Sequence, residues 1–461
     1  MSEHNVKDLT TGSIPKHLWS LAWPMMLSMF FYTLYGIVDT FWVSKLSTEA
    51  IAAVSISQVT LFVMIALSMG IAVGSSVMMA MSIGAKNKPE AERLLGQSFV
   101  IASLLAVFFT TISLIFRNQL LTASGASGAI FAPALEYFTI SAAGSILFFF
   151  LMNVMFAFNS EGDTFTLTKM FALSTLVNVV LDPIMIFGKF GFPALGVGGA
   201  AYATLISQAV FLAVGFWVLS RPKRNVRLTM KNISFKWNSV KQILKIGIPA
   251  SITQVINPLG MAVLIFITSQ GFLEAGAVAF SLVFRVEFFA FLPAGGFGFA
   301  AMAMIGQSLG AGNKERAQQV FQKALRYGFL TAFGFGILAM LFGKYIIGIF
   351  TTDPQVMQYA LWYLWIIAGT YGFMAAAMIE ASVFQAMGRS WPGFWIMVVK
   401  FLAISIPLSI IGVFVFDLGI WSIWGAIAAG NVISSVFGYW WSQRGIKQKA
   451  APLKSVEQPQ S

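Results

Sequence analysis

Cysteine is absent from the 461 residues of this chain. Disulfides, thiolate nucleophiles and Cys-ligated metals are thereby excluded. Histidine is nearly absent. His4 and His17 both lie at the start of the chain, too few and too far forward for an imidazole relay through a membrane or for a zinc centre. Charge is scarce too, at 10% of residues, where a soluble domain carries about 25%. No Walker motif, Gly-rich phosphate loop or nucleophile–base pair is visible, so neither nucleotide hydrolysis nor other enzymatic chemistry is expected, and no resident cofactor. Residues 1–13 are polar, with neither the apolar stretch nor the small-residue cleavage site of a signal peptide. The first apolar segment is therefore expected to remain in the mature protein.

What the chain has in excess is apolar surface. Hydrophobic residues make up 58% of it and mean hydropathy is +0.80. A hydrocarbon core about 30 Å thick needs about 20 apolar residues in a helix. Twelve runs qualify: 17–43, 50–82, 94–116, 131–158, 165–187, 196–219, 243–269, 277–308, 322–350, 355–384, 392–416 and 420–442. The expected fold is an all-α polytopic membrane protein with 12 transmembrane helices. Positive charge sets the orientation. Of the 29 Lys and Arg, 23 fall in the even-numbered loops and the two tails, 4 in the odd-numbered loops (Lys45, Arg117, Lys189 and Lys344), and 2, Arg285 and Lys400, within spans. Both termini are therefore expected on the cytoplasmic side of the cell's inner membrane. The net charge of +12 follows from this topology and from attraction to anionic lipid, not from nucleic-acid binding.

The chain also repeats itself. Ile83-Gly84-Ala85-Lys86-Asn87-Lys88 recurs as Leu309-Gly310-Ala311-Gly312-Asn313-Lys314, an offset of 226. Phe158–Asp163 aligns with Phe384–Arg389 and Gly199-Ala200 with Gly425-Ala426 at the same offset, and Pro24 is matched by Pro249 at 225. Loops are short except at 220–242, a basic stretch read as a solvated cytoplasmic linker. The expected organisation is a tail (1–13), an N-lobe of six spans (14–219), the linker (220–242), a C-lobe of six spans (243–442) and a second tail (443–461). The fold is thus two pseudo-symmetric six-helix lobes. Six spans per copy preserve topological parity, so the copies are related by an axis along the membrane normal. A solute path is expected between them.

The repeat is an internal control, because positions that serve only the fold should match in both halves. Asp39 maps onto Leu264 or Ile265, Asn178 onto Ile404, Asp182 onto Leu408 and Thr204 onto Gly430. An aspartate at the centre of a membrane helix costs about 2.5–3.5 kcal/mol on insertion scales, so two of them in one half only are candidates for function. Asn178 and Asp182 are four residues apart and share a helix face. Pro183 cannot donate a backbone hydrogen bond and releases the carbonyl of Val179. Two carboxylates, an amide, a hydroxyl and a carbonyl make an all-oxygen site, suited to Na+ or a shared proton and not to a soft metal.

Pro24 followed by Asp39 in the first span, Asn178…Asp182-Pro183 in the fifth and Gly199-Ala200…Thr204 in the sixth, on twelve spans in two lobes, resemble the multidrug and toxic compound extrusion (MATE) family. The resemblance covers about residues 14–445, and the paired N-lobe acids are similar to its DinF-like branch. It implies cation-coupled antiport of amphipathic or cationic drugs by a monomer in the lipid bilayer. Asp39, Asn178, Asp182, Thr204 and Ala200 would form the cation site. Tyr35, Tyr137 and Asn153 would line an N-lobe cavity, and Pro24 would be the place where the first span bends. The proton is favoured as coupling ion over Na+. Two alternatives are a lipid-linked-precursor flippase, which would favour a more basic central cavity, and a channel, which would favour polar pore residues in both halves.

Four other polar features fall outside this reading. Arg285 and Glu287 are two residues apart and do not face each other. Lys400 has no partner that spacing can name. Glu380, near the inner end of the tenth span, is placed to reach the interface. Glu161-Gly162-Asp163 reads as an inner loop.

Overall fold

The computed structural model describes residues 8–448 apart from 223 and 234; the outer parts of both tails, with His4, lie outside the described residues. Among the described residues there is no strand. Ten helices are long and apolar enough to cross a membrane. They are Ile14–Val43, Thr48–Gly84, Lys88–Ile115, Thr164–Phe187, Gly196–Leu219, Trp237–Phe272, Glu274–Gly310, Lys314–Gly348, Pro354–Ala386 and Trp391–Val415. An eleventh span is broken: Gly128–Ala143 and Ser145–Glu161 meet at 52° and together form the fourth in chain order. The bend falls at Gly144, where a Cβ would run into the side chain of Leu205 in the sixth span. The twelfth is Trp421–Gln448. Its four tryptophans, Tyr439 and four serines lower its hydropathy, but its 28 residues reach about 42 Å at 1.5 Å per residue, enough to cross. The fold is therefore the all-α, twelve-span, two-lobed one expected.

Helix ends follow ordinary capping chemistry. Ser47 accepts from Ala50 N ahead of the second span, Asn87 from Glu90 N ahead of the third, and Asn313 from Arg316 N ahead of the ninth. The last two caps belong to the repeated Gly-Ala motif, so the motif is the turn between two spans, used twice.

The chain divides into two compact units. One holds Leu27–Ser251, the other Asp8–Met26 with the residues from Ile252 onward. Each unit therefore includes the first stretch of a span that continues in the other. In the first unit Gly70 and Gly247 permit close helix contact: a Cβ on Gly70 would stand 2.5 Å from the Gly247 carbonyl oxygen. In the second, a Cβ on Gly296 would stand 2.9 Å from the Ala22 carbonyl oxygen, and Trp19 packs edge-on against Phe297 at 5.0 Å. Residues 9–12 are fastened within that unit by Arg316, which donates to the carbonyls of Leu9, Thr11 and Gly12 at 3.0, 2.7 and 2.9 Å.

The basic linker is attached to its own unit as well. Arg224 is buried, donating to Asp163 Oδ2 at 2.5 Å and to Glu161 Oε2, and stacking its guanidinium 4.6 Å from the Phe158 ring. Val226 N donates to Glu161 Oε1 at 2.6 Å. Glu161-Gly162-Asp163 is thus more than an inner loop. Glu161 ends the fourth span, Gly162 takes φ +77° as its left-handed cap, and Asp163 caps the fifth by accepting from Thr166 N.

Candidate functional site

The site is built on two neighbouring helices of the first unit. A stripe on the first span, Ser28, Phe31, Tyr32, Tyr35 and Asp39, runs beside a stripe on the fifth, Thr168, Phe171, Thr175, Asn178 and Asp182. Both follow the spacing of residues one helical turn apart. Three contacts fix the register: Ser28 Oγ to Thr168 Oγ1 at 2.9 Å, Thr175 Oγ1 donating to the Phe31 carbonyl at 3.0 Å, and the Tyr32 and Phe171 rings edge-on at 6.0 Å. Carried one or two turns further, the same register brings Asp39 toward Asp182.

Both acids are buried, at 2% and 0% exposure, and Asn178 is at 0%. Asn178 Nδ2 donates to Asp182 Oδ1 at 3.0 Å. The charges of Asp39 and Asp182 act on each other and on the hydroxyls of Tyr35 and Tyr137. The Tyr35 hydroxyl lies beside Thr204 of the sixth span without closing a hydrogen bond of good geometry. Tyr137 approaches Gln58 and Ser141. Besides the Tyr35 hydroxyl, three buried oxygens of the site have no hydrogen-bond partner: Asp39 Oδ1, Asn178 Oδ1 and Asp182 Oδ2. A buried, unpaired anionic oxygen is costly, and what these three have in common is that a cation or proton would satisfy them.

Six of the expected residues are thus brought together: Tyr35, Asp39, Tyr137, Asn178, Asp182 and Thr204. Ala200 is fully buried in an apolar cluster with Tyr137, Val43 and Ile186, so only its carbonyl could serve an ion. Asn153 donates back to the Phe149 carbonyl at 2.8 Å and leaves its Oδ1 without a partner, and no hydrogen bond links it to the acids. Pro24 is fifteen residues before Asp39 and belongs to the second unit. That is about 22 Å along the helix, so it can influence the site only through the helix. No group of three or more His, Cys, Asp or Glu suited to a metal occurs among the described residues.

The second unit holds a polar cluster that spacing did not reveal. Tyr363 donates to Glu287 Oε2 at 2.5 Å. Lys400 and Tyr371 act electrostatically on the same carboxylate, and all four side chains are buried. Lys400, without a nameable partner in the sequence, therefore offsets Glu287, and its ammonium also sits 4.9 Å from the Phe401 ring. It lies in a π-helical stretch, Val399–Ser405, a wide turn that often marks functional or strained positions. One signal was available in advance. Tyr363 is the repeat counterpart of Tyr137, 226 residues apart, so the two lobes place matching tyrosines beside unlike acids. Glu380 is not exposed as a side chain reaching the interface would be: it is fully buried, with neither oxygen partnered.

Twelve spans in two repeated lobes, with a buried pair of acids in one of them, define a polytopic membrane protein. The chain belongs to the MATE family: the MatE profile matches residues 24–184 and again 249–411, beginning at Pro24 and at Pro249. The chain is similar to the probable multidrug resistance protein NorM of Thermotoga maritima, 29% identical over 443 residues, 95% of this chain and 94% of that one. It is also similar to an FAD transporter of Shewanella oneidensis, 26% identical over 437 residues, 95% and 96% of the two chains. Among solved structures it matches a MATE protein in a straight conformation (TM-score 0.90, 26% identity, 97% and 99% covered) and in a bent one (0.89, 27%, 97% and 98%).

Proposed function

We propose that this protein is a cation-coupled antiporter that exports amphipathic, often cationic, drugs across the inner membrane, with both termini in the cytoplasm and the monomer as the working unit. Drug export itself is supported by relatives named for multidrug resistance. The observation that carries the coupling is the buried Asp39–Asp182 pair with its unpartnered oxygens. Two carboxylates held close in low dielectric resist both being ionised. An entering proton or Na+ relieves that repulsion, so the two ions compete for one site. We favour the proton, because four unpartnered oxygens, one of them a tyrosine hydroxyl, are fewer than the about six that a bare hard cation takes.

Neutralisation of the pair would release the first span to bend. Pro24 lies inside that helix and removes one of its backbone hydrogen bonds. The straight and bent conformations of similar proteins support two states of this fold. Bending would shrink the cavity beside Tyr35 and Asn153 and expel the cargo. A monovalent charge crossing 100 mV contributes about 2.3 kcal/mol.

The deciding experiment is cargo release from proteoliposomes of the purified protein, with external pH and Na+ varied separately. Release driven by acidification alone is the expected result. Release driven by Na+ with no response to acid would reverse the choice of ion, and a response to neither would remove the pair from the mechanism. Transport of an anionic flavin dinucleotide in preference to amphipathic cations would replace the cargo class.

A further inference from the structure

A cavity of about 490 Å³ lies in the second unit, between the ninth, tenth and twelfth spans. Its polar lining is Glu380, Arg326, Gln322, Ser435 and Tyr439, and its apolar lining includes Phe329 and Phe373, whose rings meet edge-on at 5.1 Å. Glu380 is fully buried, yet neither carboxylate oxygen has a hydrogen-bond partner. Gly438 makes room for it, since a Cβ there would strike Glu380 Oε2. Arg326, Leu330, Val436 and Tyr439 are exposed at the mouth.

The repeat shows that the fold does not require this polarity. At the 226-residue offset, Glu380 becomes Val154, Arg326 becomes Val100, Gln322 becomes Gly96, Ser435 becomes Ala209 and Tyr439 becomes Ala213. Val154 is itself fully buried, so the scaffold accepts an apolar residue where the second half carries a carboxylate. All five polar groups belong to one half and converge on one cavity.

We propose that this cavity binds the zwitterionic headgroup of an aminophospholipid. Glu380 receives the primary ammonium at the cavity's inner end, and Arg326 at the mouth receives the phosphate. The charges are ordered as in that headgroup, with the anion-binding group outermost and the ammonium-binding group deeper. Both Glu380 oxygens lack donors, and a primary ammonium supplies three N–H groups while a quaternary one supplies none. Leu330 and Val436 continue the cavity as apolar surface along which acyl chains lie. Glu380 is six residues before the end of the tenth span and Arg326 twelve after the start of the ninth. These are about 9 and 18 Å along their axes. Side chains lean toward their helix N-terminus, which draws the two groups to similar depth in the leaflet bordering the basic loops.

The test is lipid retention by the purified full-length protein, measured by native mass spectrometry in detergent doped with phosphatidylethanolamine, phosphatidylcholine or phosphatidylglycerol. Phosphatidylethanolamine should be retained over both of the others. Glu380→Gln should reduce its retention about thirtyfold, in the range expected for losing one partner of a buried charge pair. Glu380→Val, which copies the residue at the matching position of the other lobe, should give the same loss with normal folding, and Arg326→Gln a smaller one. Equal retention of phosphatidylglycerol, or retention unaffected by Glu380→Val, would overturn the assignment. So would displacement by dodecyltrimethylammonium, which has no phosphate, at concentrations equal to the lipid's.

Discussion

Two buried acid sites, one in each lobe, are neutralised in opposite ways. In the first unit, Asp39 acts on Asp182 with no lysine or arginine among the described residues acting on either, and one oxygen each of Asp39, Asn178 and Asp182 lacks a partner. In the second, Glu287 has Tyr363 as donor and Lys400 as counter-charge. Helices, repeat and even the tyrosine position are shared. The difference lies in where the neutralising cation comes from. The Glu287 site carries its cation covalently, at Lys400. The Asp39–Asp182 site has none among the described residues, and on the proposed function its neutral state depends on an ion that can arrive and leave. A site that is to be coupled to a gradient must be of the latter kind.

The largest expected effect follows directly. Asp39→Asn should abolish coupled efflux of ethidium in cells while the protein still inserts and folds. Removing a buried charge relieves a desolvation cost, so the thermal midpoint should hold or rise. Asp182→Asn should behave alike. Wild-type efflux from a well-expressed Asp39→Asn protein would erase the functional contrast between the lobes.

The converse perturbation belongs to the second lobe. Lys400→Met strands Glu287 as a buried unpaired charge, at a cost of about 3–5 kcal/mol. Adding Glu287→Gln should restore most of it, because replacing both members of a buried pair is close to neutral. Equilibrium unfolding of the single and double variants gives the coupling energy, and the double variant should still transport. If the double variant is stable but inactive, the second lobe holds a working site and the comparison fails.

Legibility from sequence divides along the same line. The twelve spans, the repeat and the positions of Asp39, Asn178 and Asp182 could be read because each rests on local hydropathy, a fixed offset or a four-residue spacing. Glu287 and Lys400 could not be paired, because 113 residues separate them and helix rotation is not encoded by a nearly uniform apolar pattern. Glu380 was misplaced for a related reason. Distance from a helix end predicts depth, but not whether a side chain is exposed or, like Glu380, buried against Gly438. The linker clasp was hidden because a run of basic residues looks the same whether solvated or, at one position, locked between Glu161 and Asp163.

That clasp gives an intermediate effect. Arg224→Gln removes charge-assisted hydrogen bonds to two acids and should cost about 1.5–3 kcal/mol, less than Lys400→Met because glutamine still donates a hydrogen bond and Val226 N still reaches Glu161. Limited proteolysis should cut the linker sooner in the variant, with efflux largely retained. Unchanged cleavage would show that the clasp does not hold the linker.

The smallest effects test the repeat argument itself. Leu264, Ile404 and Leu408 occupy the places of Asp39, Asn178 and Asp182. Leu264 is fully buried in the core of its unit, and Leu408 is 43% exposed. Leu264→Met, Ile404→Val and Leu408→Ile keep volume and polarity nearly constant, so each should cost less than about 1.5 kcal/mol. Leu408, with open surroundings, should cost least. Efflux at matched expression should remain near wild type in all three. Alanine at Asn178 or Thr204 deletes an oxygen of the site and should depress efflux strongly, well beyond the loss of thermal midpoint that its smaller volume causes. Equal losses from the two groups would mean that the oxygens matter only as volume. The difference between the lobes would then be a matter of packing, with no bearing on the coupling ion.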